Sequence, residues 1–348
     1  MLLNVLLNVL LNVLLNVLLN VLLNVLLNVK GHLCISYYYI NGGIKMTIKF
    51  IELFAGVGGF HLAFKHRDEF KCVYANDNNK FTKITYDNNF TNKLTIADIR
   101  TVNSNDIPNH DVLTAGFPCQ SFSVAGLKKG FSDVRGQLFF EIIRILKDKK
   151  PEYFILENVR NLISHDNGNT FNIIISELNK LGYYIQYSVL NTKDFDIPQN
   201  RERVYIIGFL NKSEFFSFKF PDKLTRTRNI TDFLESDCDD KYYYNGKYLY
   251  DKLVDKVIKK NTAYQWRFGK VVENKSNVCS TLTASMSSVP IIIDNKGIRK
   301  LTPRECFNLQ GFPIDYKISG VSDSQLYRQV GNSITVKVVE KIIDSIWR

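Results

Sequence analysis

From residue 48 to about 210 the chain alternates short apolar runs with amphipathic ones, and this alternation restricts the fold more than any other feature. Strand-like runs fall at 49–54, 71–76, 111–115, 153–157 and 204–209, with helix-like runs at 60–65, 80–89, 138–146 and 171–181 between them. Parallel strands need long crossovers, and helices supply them. The pattern therefore predicts an α/β fold, a doubly wound and mostly parallel sheet. Ligands of such sheets bind beyond the carboxyl ends of the strands. Between about 211 and 295 the texture changes. Tyr242, Tyr243, Tyr244, Tyr248 and Tyr250 cluster among lysines and helical periodicity fades, which predicts a smaller, irregular domain. Helical spacing returns at 334–347, where Val336, Val338, Val339, Ile342, Ile343 and Ile346 share one face. The expected division is a leader of residues 1–45, a large domain of 46–210 plus 318–348, and a small domain of 211–317.

Residues 2–29 are seven copies of Leu-Leu-Asn-Val. With 21 apolar residues in 28 this run is long enough to raise a membrane span. An Asn at every fourth position argues against one, because it lays a slanted amide stripe along any helix, at high cost in lipid. A signal peptide is a poor match too, since no basic segment precedes the apolar run. A perfect tetrad reads instead as a translated tandem DNA repeat, with ordinary sequence starting at Met46. The net charge of +11 favours a polyanionic partner. Setting aside residues 1–45, which carry two lysines and no acid, leaves +9. Six cysteines (34, 72, 119, 238, 279, 306) are scattered without a C-x-x-C pair. That spacing speaks against a zinc site or a disulfide framework and for a reducing cytoplasm.

Four places carry chemistry. Phe54-Ala55-Gly56-Val57-Gly58-Gly59 lies between a strand and a helix, where glycines permit a tight turn and close ligand approach. His61 breaks the nicotinamide fingerprint G-x-G-x-x-G. Asp77 follows the next strand, either as a ribose-binding acid or as a solvated turn residue. Gly116-Phe117-Pro118-Cys119-Gln120-Ser121-Phe122-Ser123 follows the third strand. By position Cys119 is either a nucleophile or a packing thiol. Glu157, in Leu156-Glu157-Asn158-Val159, is either an acid beside that cysteine or an acid favoured by a helix N-terminus. Arg201 and Arg203, in Gln199-Asn200-Arg201-Glu202-Arg203, point to one face of a strand. They can meet a phosphate or a base carbonyl, or form surface salt bridges.

Taken in order, these residues resemble the motif set of the cytosine-C5 DNA methyltransferases of restriction-modification type, over about 48–346. Phe54–Gly59 resembles the family's cofactor loop, Asp77 its ribose-binding acid, and Asp98-Ile99 the pair that holds the adenine. Pro118-Cys119-Gln120 looks like the nucleophile motif, Glu157-Asn158-Val159 the E-N-V motif, and Gln199–Arg203 the Q-x-R-x-R motif. Arg299–Glu305 resembles the segment after the recognition domain. Thr281-Leu282 looks like the recognition domain's Thr-Leu dipeptide. Gln329-Val330-Gly331-Asn332-Ser333 is similar to the last motif.

The resemblance implies the S-adenosylmethionine-dependent methyltransferase fold, with 211–317 as target-recognition domain. It implies methyl transfer from S-adenosylmethionine to carbon 5 of a flipped-out cytosine in double-stranded DNA, through a covalent Cys119 intermediate. Cys119, Glu157, Arg201 and Arg203 would then be catalytic, with Arg201 ordering the site or a phosphate. Phe54, Gly56, Gly58, Gly59, Asp77, Asp98, Ile99, Asn332 and Ser333 would hold the cofactor. Gln120, Ser123, Lys128, Lys129, Arg267, Thr281 and Leu282 would touch DNA, and the segment 121–131 would close over the base. Arg226, Arg228, Gln265 and Arg267 are the candidates for reading base edges. A monomer serving alongside a cognate restriction endonuclease is expected, with no metal and no membrane contact. A transfer RNA methyltransferase would share the chemistry, but its Cys-Phe-Thr signature is absent. Intact Cys119, Glu157 and Arg203 count against a catalytically silent DNA-binding regulator.

Overall fold

The computed structural model of the protein describes residue 18 and residues 36–40, 43–118, 137–267, 269–274, 277–285 and 289–348. The tetrad repeat apart from Leu18, the 121–131 segment, and Cys119, Gln120, Ser123, Lys128 and Lys129 lie outside the described residues.

Strands β1 (Ser36–Ile40) and β2 (Gly43–Leu53) form an antiparallel pair, with Ser36 opposite Thr47. The expected boundary at residue 46 thus falls inside a strand, and residues 36–40 and 43–45 belong to the paired strands. The far half of β2 runs between β3 (Phe70–Asp77) and β5 (Val112–Gly116), parallel to both. A short β4 (Thr95–Ile96) flanks β3, and β6 (Tyr153–Val159) flanks β5, again in parallel. Two further strands are antiparallel: β7 (Tyr184–Asn191), at the edge, and β9 (Glu202–Phe209), between β7 and β6. The sheet order is β4-β3-β2-β5-β6-β9-β7.

Helices α1 (Gly59–Phe64), α2 (Lys80–Asp87), α3 (Gln137–Lys149) and α4 (Asn169–Lys180) make the crossovers. Both faces of the sheet are covered, so consecutive residues of a central strand enter different cores. In β6, Tyr153 and Ile155 join one core while Phe154 and Leu156 join the other. This is why the strands read as continuous apolar runs rather than as alternating ones. The closing helices are α7 (Pro303–Asn308), α8 (Asp323–Asn332) and α9 (Val336–Ile346), after the short α5 (Lys212–Ser217) and α6 (Tyr250–Leu253). Val336, Val338, Val339, Ile342 and Ile343 of α9 are buried in the first core with Phe60, Ala63 and Phe64 of α1. Trp347 follows, its ring 4.9 Å from that of Phe70 and 5.0 Å from that of Tyr153.

The smaller region has its own core of Leu253, Val257, Tyr264, Ile291 and Ile298. It carries a four-stranded sheet in the order β11-β10-β13-β14, formed by β10 (Tyr264–Arg267), β11 (Lys270–Glu273), β13 (Ile291–Ile293) and β14 (Ile298–Lys300). Its span is narrower than the expected 211–317. Phe218, Ile230 and Phe233 before it, and Leu301, Phe307, Phe312 and Tyr316 after it, pack into the first core of the large domain. Between the two regions, β8 (Gln199–Asn200) pairs in parallel with β12 (Cys279–Ser280).

Candidate active site

The parallel strands β2, β3, β5 and β6 all finish at one edge of the sheet. β9 runs the opposite way, so its beginning, with Arg203, and Arg201 just before it reach that same edge. A cavity of 780 Å³ opens there. The structure brings Phe54, Gly56, Gly59, Asp77, Asp98, Ile99, Glu157, Arg201, Arg203, Asn332 and Ser333 to its wall.

One half of the cavity is built by the glycine loop. Phe54, Gly56 and Gly58 all have positive φ (54°, 54° and 75°), and for the two glycines this carries little steric cost. Gly58 does not itself line the cavity. It sits against the Phe90 ring, where an added methyl would come within 2.3 Å. Asp77 fixes the loop. Its Oδ2 accepts the Gly56 N–H at 2.8 Å and its Oδ1 accepts the Asn79 N–H at 2.8 Å. Burial nevertheless pushes the Asp77 pKa upward, against these hydrogen bonds. Asp98 is clasped by the Arg100 guanidinium, which holds its carboxyl below the usual range, and Ile99 is buried beside it.

Glu52, which the motif reading passed over, is 1% exposed beneath this loop. Its Oε1 accepts the Phe60 N–H at 3.1 Å, and its Oε2 has no hydrogen-bond partner among the described residues. Burial pushes its pKa up to about 8. The signal was present in the sequence as a lone acid inside the apolar run Phe50-Ile51-Glu52-Leu53-Phe54.

The other half holds the groups suited to a reaction. Gly116 ends β5 opposite Glu157 on β6, and Phe117 and Pro118 lead on toward Cys119. Asn158 Nδ2 donates to the Phe117 carbonyl at 2.9 Å, so the residue after Glu157 fixes the chain just ahead of that cysteine. Glu157 is buried, and this raises its pKa while Arg203 and Arg201 oppose the rise. Arg203 Nε stands 3.0 Å from Glu157 Oε1, an ion-pair distance, yet that oxygen has no aligned hydrogen bond among the described residues. A protonatable carboxyl with an open acceptor therefore sits beside a fixed cation.

Of the roles expected for Arg201, a phosphate or base contact or the ordering of the site, its surroundings match the ordering role. It is 2% exposed, and its guanidinium donates to three main-chain carbonyls: Leu282 at 2.8 Å, Gly331 at 3.1 Å and Ser333 at 2.6 Å. Burial draws its pKa down to about 9, which leaves it a cation at neutral pH.

Of the residues expected to touch DNA, Arg267 is exposed where β10 turns into β11. Thr281 donates its hydroxyl to the Asn200 carbonyl at 2.6 Å. Leu282 corrects the expectation, because its side chain is 3% exposed and packed in the first core. Gln265 is likewise buried. Arg228 pairs with Asp196 at 3.0 Å and lies 4.7 Å over the Phe233 ring, so it too is engaged.

A family model described as C-5 cytosine-specific DNA methylase matches residues 48–348. The type II methyltransferase M.Bsp6I of Bacillus sp. (strain RFL6) is 48% identical over 311 residues, covering 86% of this chain and 99% of that protein. The type II methyltransferase M.HhaI of Haemophilus parahaemolyticus is 38% identical over 307 residues, covering 85% of this chain and 93% of its own. Among solved structures, the S. pombe Dnmt2 methyltransferase matches with a TM-score of 0.69 and 25% identity, over 85% of this chain and 97% of that one.

Proposed function

The chain belongs to the C-5 cytosine-specific DNA methylase family, and on that premise we propose that it methylates carbon 5 of a flipped-out cytosine within a short, specific sequence of double-stranded DNA, as a monomer in a restriction-modification system. The methyl donor is S-adenosylmethionine, which when bound supplies the methyl group in electrophilic form. The cavity suits that group. Its glycine loop is pinned by Asp77, it is lined by Phe54, Asp98, Ile99 and Asn332, and it contains an open carboxyl oxygen on Glu52.

The chain's own residues carry the rest. Carbon 5 of cytosine is a poor nucleophile, and addition of the Cys119 thiolate to carbon 6 makes it an enamine-like one. Negative charge builds on N3 and O2 during that addition. Glu157, kept protonatable by burial, shares a proton at N3, and Arg203 donates to O2. Once carbon 5 has been alkylated, its proton leaves, the sulfur–carbon 6 bond breaks and the ring regains its aromaticity. Carbon 6 is out of reach in a stacked duplex, so the base leaves the helix first.

The observation that carries this reading is the convergence of Glu157, Arg203 and the Pro118 end of the cysteine loop on the same cavity as the glycine loop. Bisulfite sequencing of DNA from cells expressing the protein tests it. Protected cytosines at one position of one short recurring sequence are expected, and DNA without protected cytosines overturns it.

A further inference from the structure

The partners of Arg201 belong to two segments that the proposed reaction keeps apart. Leu282 follows β12 in the stretch 279–284, which lies between strands β11 and β13 of the smaller region, the expected target-recognition part. Gly331 and Ser333 flank Asn332 at the C-terminal end of α8, where Gly331, Asn332 and Ser333 line the cavity. We propose that Arg201 is a positioning residue that fastens the segment 279–284 to the C-terminal end of α8, residues 331–333, so that filling the cofactor site also orders a part of the DNA-reading machinery. This rests on the reading of the cavity as the S-adenosylmethionine site.

The seam is built on both sides. On the reading side, Cys279 and Ser280 pair with Gln199 and Asn200, and the Leu282 N–H donates to Gln199 Oε1 at 3.1 Å. On the cofactor side, Gln199 Nε2 donates to the Leu309 carbonyl at 2.8 Å, and Gln310 Nε2 donates to the Val330 carbonyl at 3.0 Å. Between them there is no spare room. A methyl group on Gly331 would lie 2.2 Å from the carbonyl carbon of Thr283, so the two main chains touch directly. Ala284 and Asn332 then emerge into the same cavity.

A planar guanidinium suits this place, because it can donate in two directions at once, toward Leu282 and toward Gly331 and Ser333. Lysine keeps the charge and loses the fork. Whichever ligand orders one side of the seam has prepaid part of the cost of ordering the other, and by linkage the effect is reciprocal.

Hydrogen–deuterium exchange on the full chain, with and without saturating S-adenosylhomocysteine, tests the proposal without knowledge of the DNA target. In the wild type, amides of 54–58 and of 279–282 should both slow, by about fivefold or more. In Arg201→Lys, 54–58 should remain protected on binding while 279–282 lose their protection. Wild-type protection confined to 54–58 overturns the proposal and leaves the cofactor reading standing. Full protection of 279–282 in Arg201→Lys overturns it as well. Absence of protection anywhere overturns the cofactor reading and the proposal with it. Should Arg201→Lys fail to fold, Thr281→Val removes only the hydroxyl bond to Asn200 and should weaken the protection of 279–282 in part; unchanged protection there overturns the seam.

Discussion

Glu52 and Glu157 are both buried carboxyls at strand ends on one cavity, and they differ in what stands beside them. Arg203 sits next to Glu157, whereas Glu52 faces main-chain N–H groups. The proposed thiolate is tested first by Cys119→Ser, which should abolish methyl transfer and leave DNA binding intact, since a hydroxyl is a far weaker nucleophile near pH 7. The wild type should form a covalent adduct with DNA carrying 5-fluorocytosine, whose substituent cannot leave as a proton. Robust turnover by the serine variant would sink the assignment. Glu52 yields a pH prediction. Its pKa is about 8 in the folded protein against 4.5 when free. Over that window the folded state holds a proton that the unfolded chain has released, so this group's contribution to stability falls as the pH rises. Glu52→Gln lacks the effect, and its Tm relative to wild type should climb between pH 5 and pH 8. Parallel Tm curves would refute it. At this scale the sequence was only partly legible. Cysteine, glutamate and arginine stand out by type, but the partners of Arg201 are carbonyls that any residue supplies, so its spacing could not separate a clamp from a ligand contact.

The segment Arg299–Glu305 shows how an element is held when its motif has no reacting group. Thr302 and Glu305 cap α7 reciprocally, and Glu305 also takes the Arg299 guanidinium through two bonds of 2.8 Å, with both side chains at most 1% exposed. Removing one partner of a buried pair strands the other. Arg299→Met should therefore cost about 3–5 kcal/mol of stability in urea titration. Thr302→Ala loses the cap and the hydrogen bond that its hydroxyl donates to Glu235, and should cost less, about 1–2 kcal/mol. Equal losses would mean that the ion pair is not what secures the helix. Central strands were readable because their residues fill two cores at once. β7 was not, since it is an edge strand with Tyr184 and Tyr187 exposed and has no clear apolar run. Leu282 was expected at the DNA from its resemblance to the recognition domain's Thr-Leu dipeptide, and a dipeptide does not show that the leucine, two residues after β12, packs into the first core.

For the molecule as a whole, the separate core of the smaller region makes it the natural seat of sequence choice. Replacing 211–295 with the matching segment of a relative of different specificity should transfer that relative's methylation pattern, read by bisulfite sequencing. An active chimera that still marks the original sequence would place specificity elsewhere. Within that region Arg228 and Arg267 are exposed candidates, Arg228 being engaged by Asp196, and Arg267→Ala should cost about 1–3 kcal/mol of binding and relax one position of the target. The packing of α9 on α1 has a different kind of consequence. Phe60, Ala63 and Phe64 are made early, and the surface that covers them comes roughly 270 residues later. Phe64 finds Phe50 and Phe70 early, but during synthesis the side of these residues that α9 covers must wait while the ribosome finishes nearly everything else. The nascent chain is therefore a natural client of chaperones, and a message cut short before codon 336 yields a product whose first helix never finds its partner.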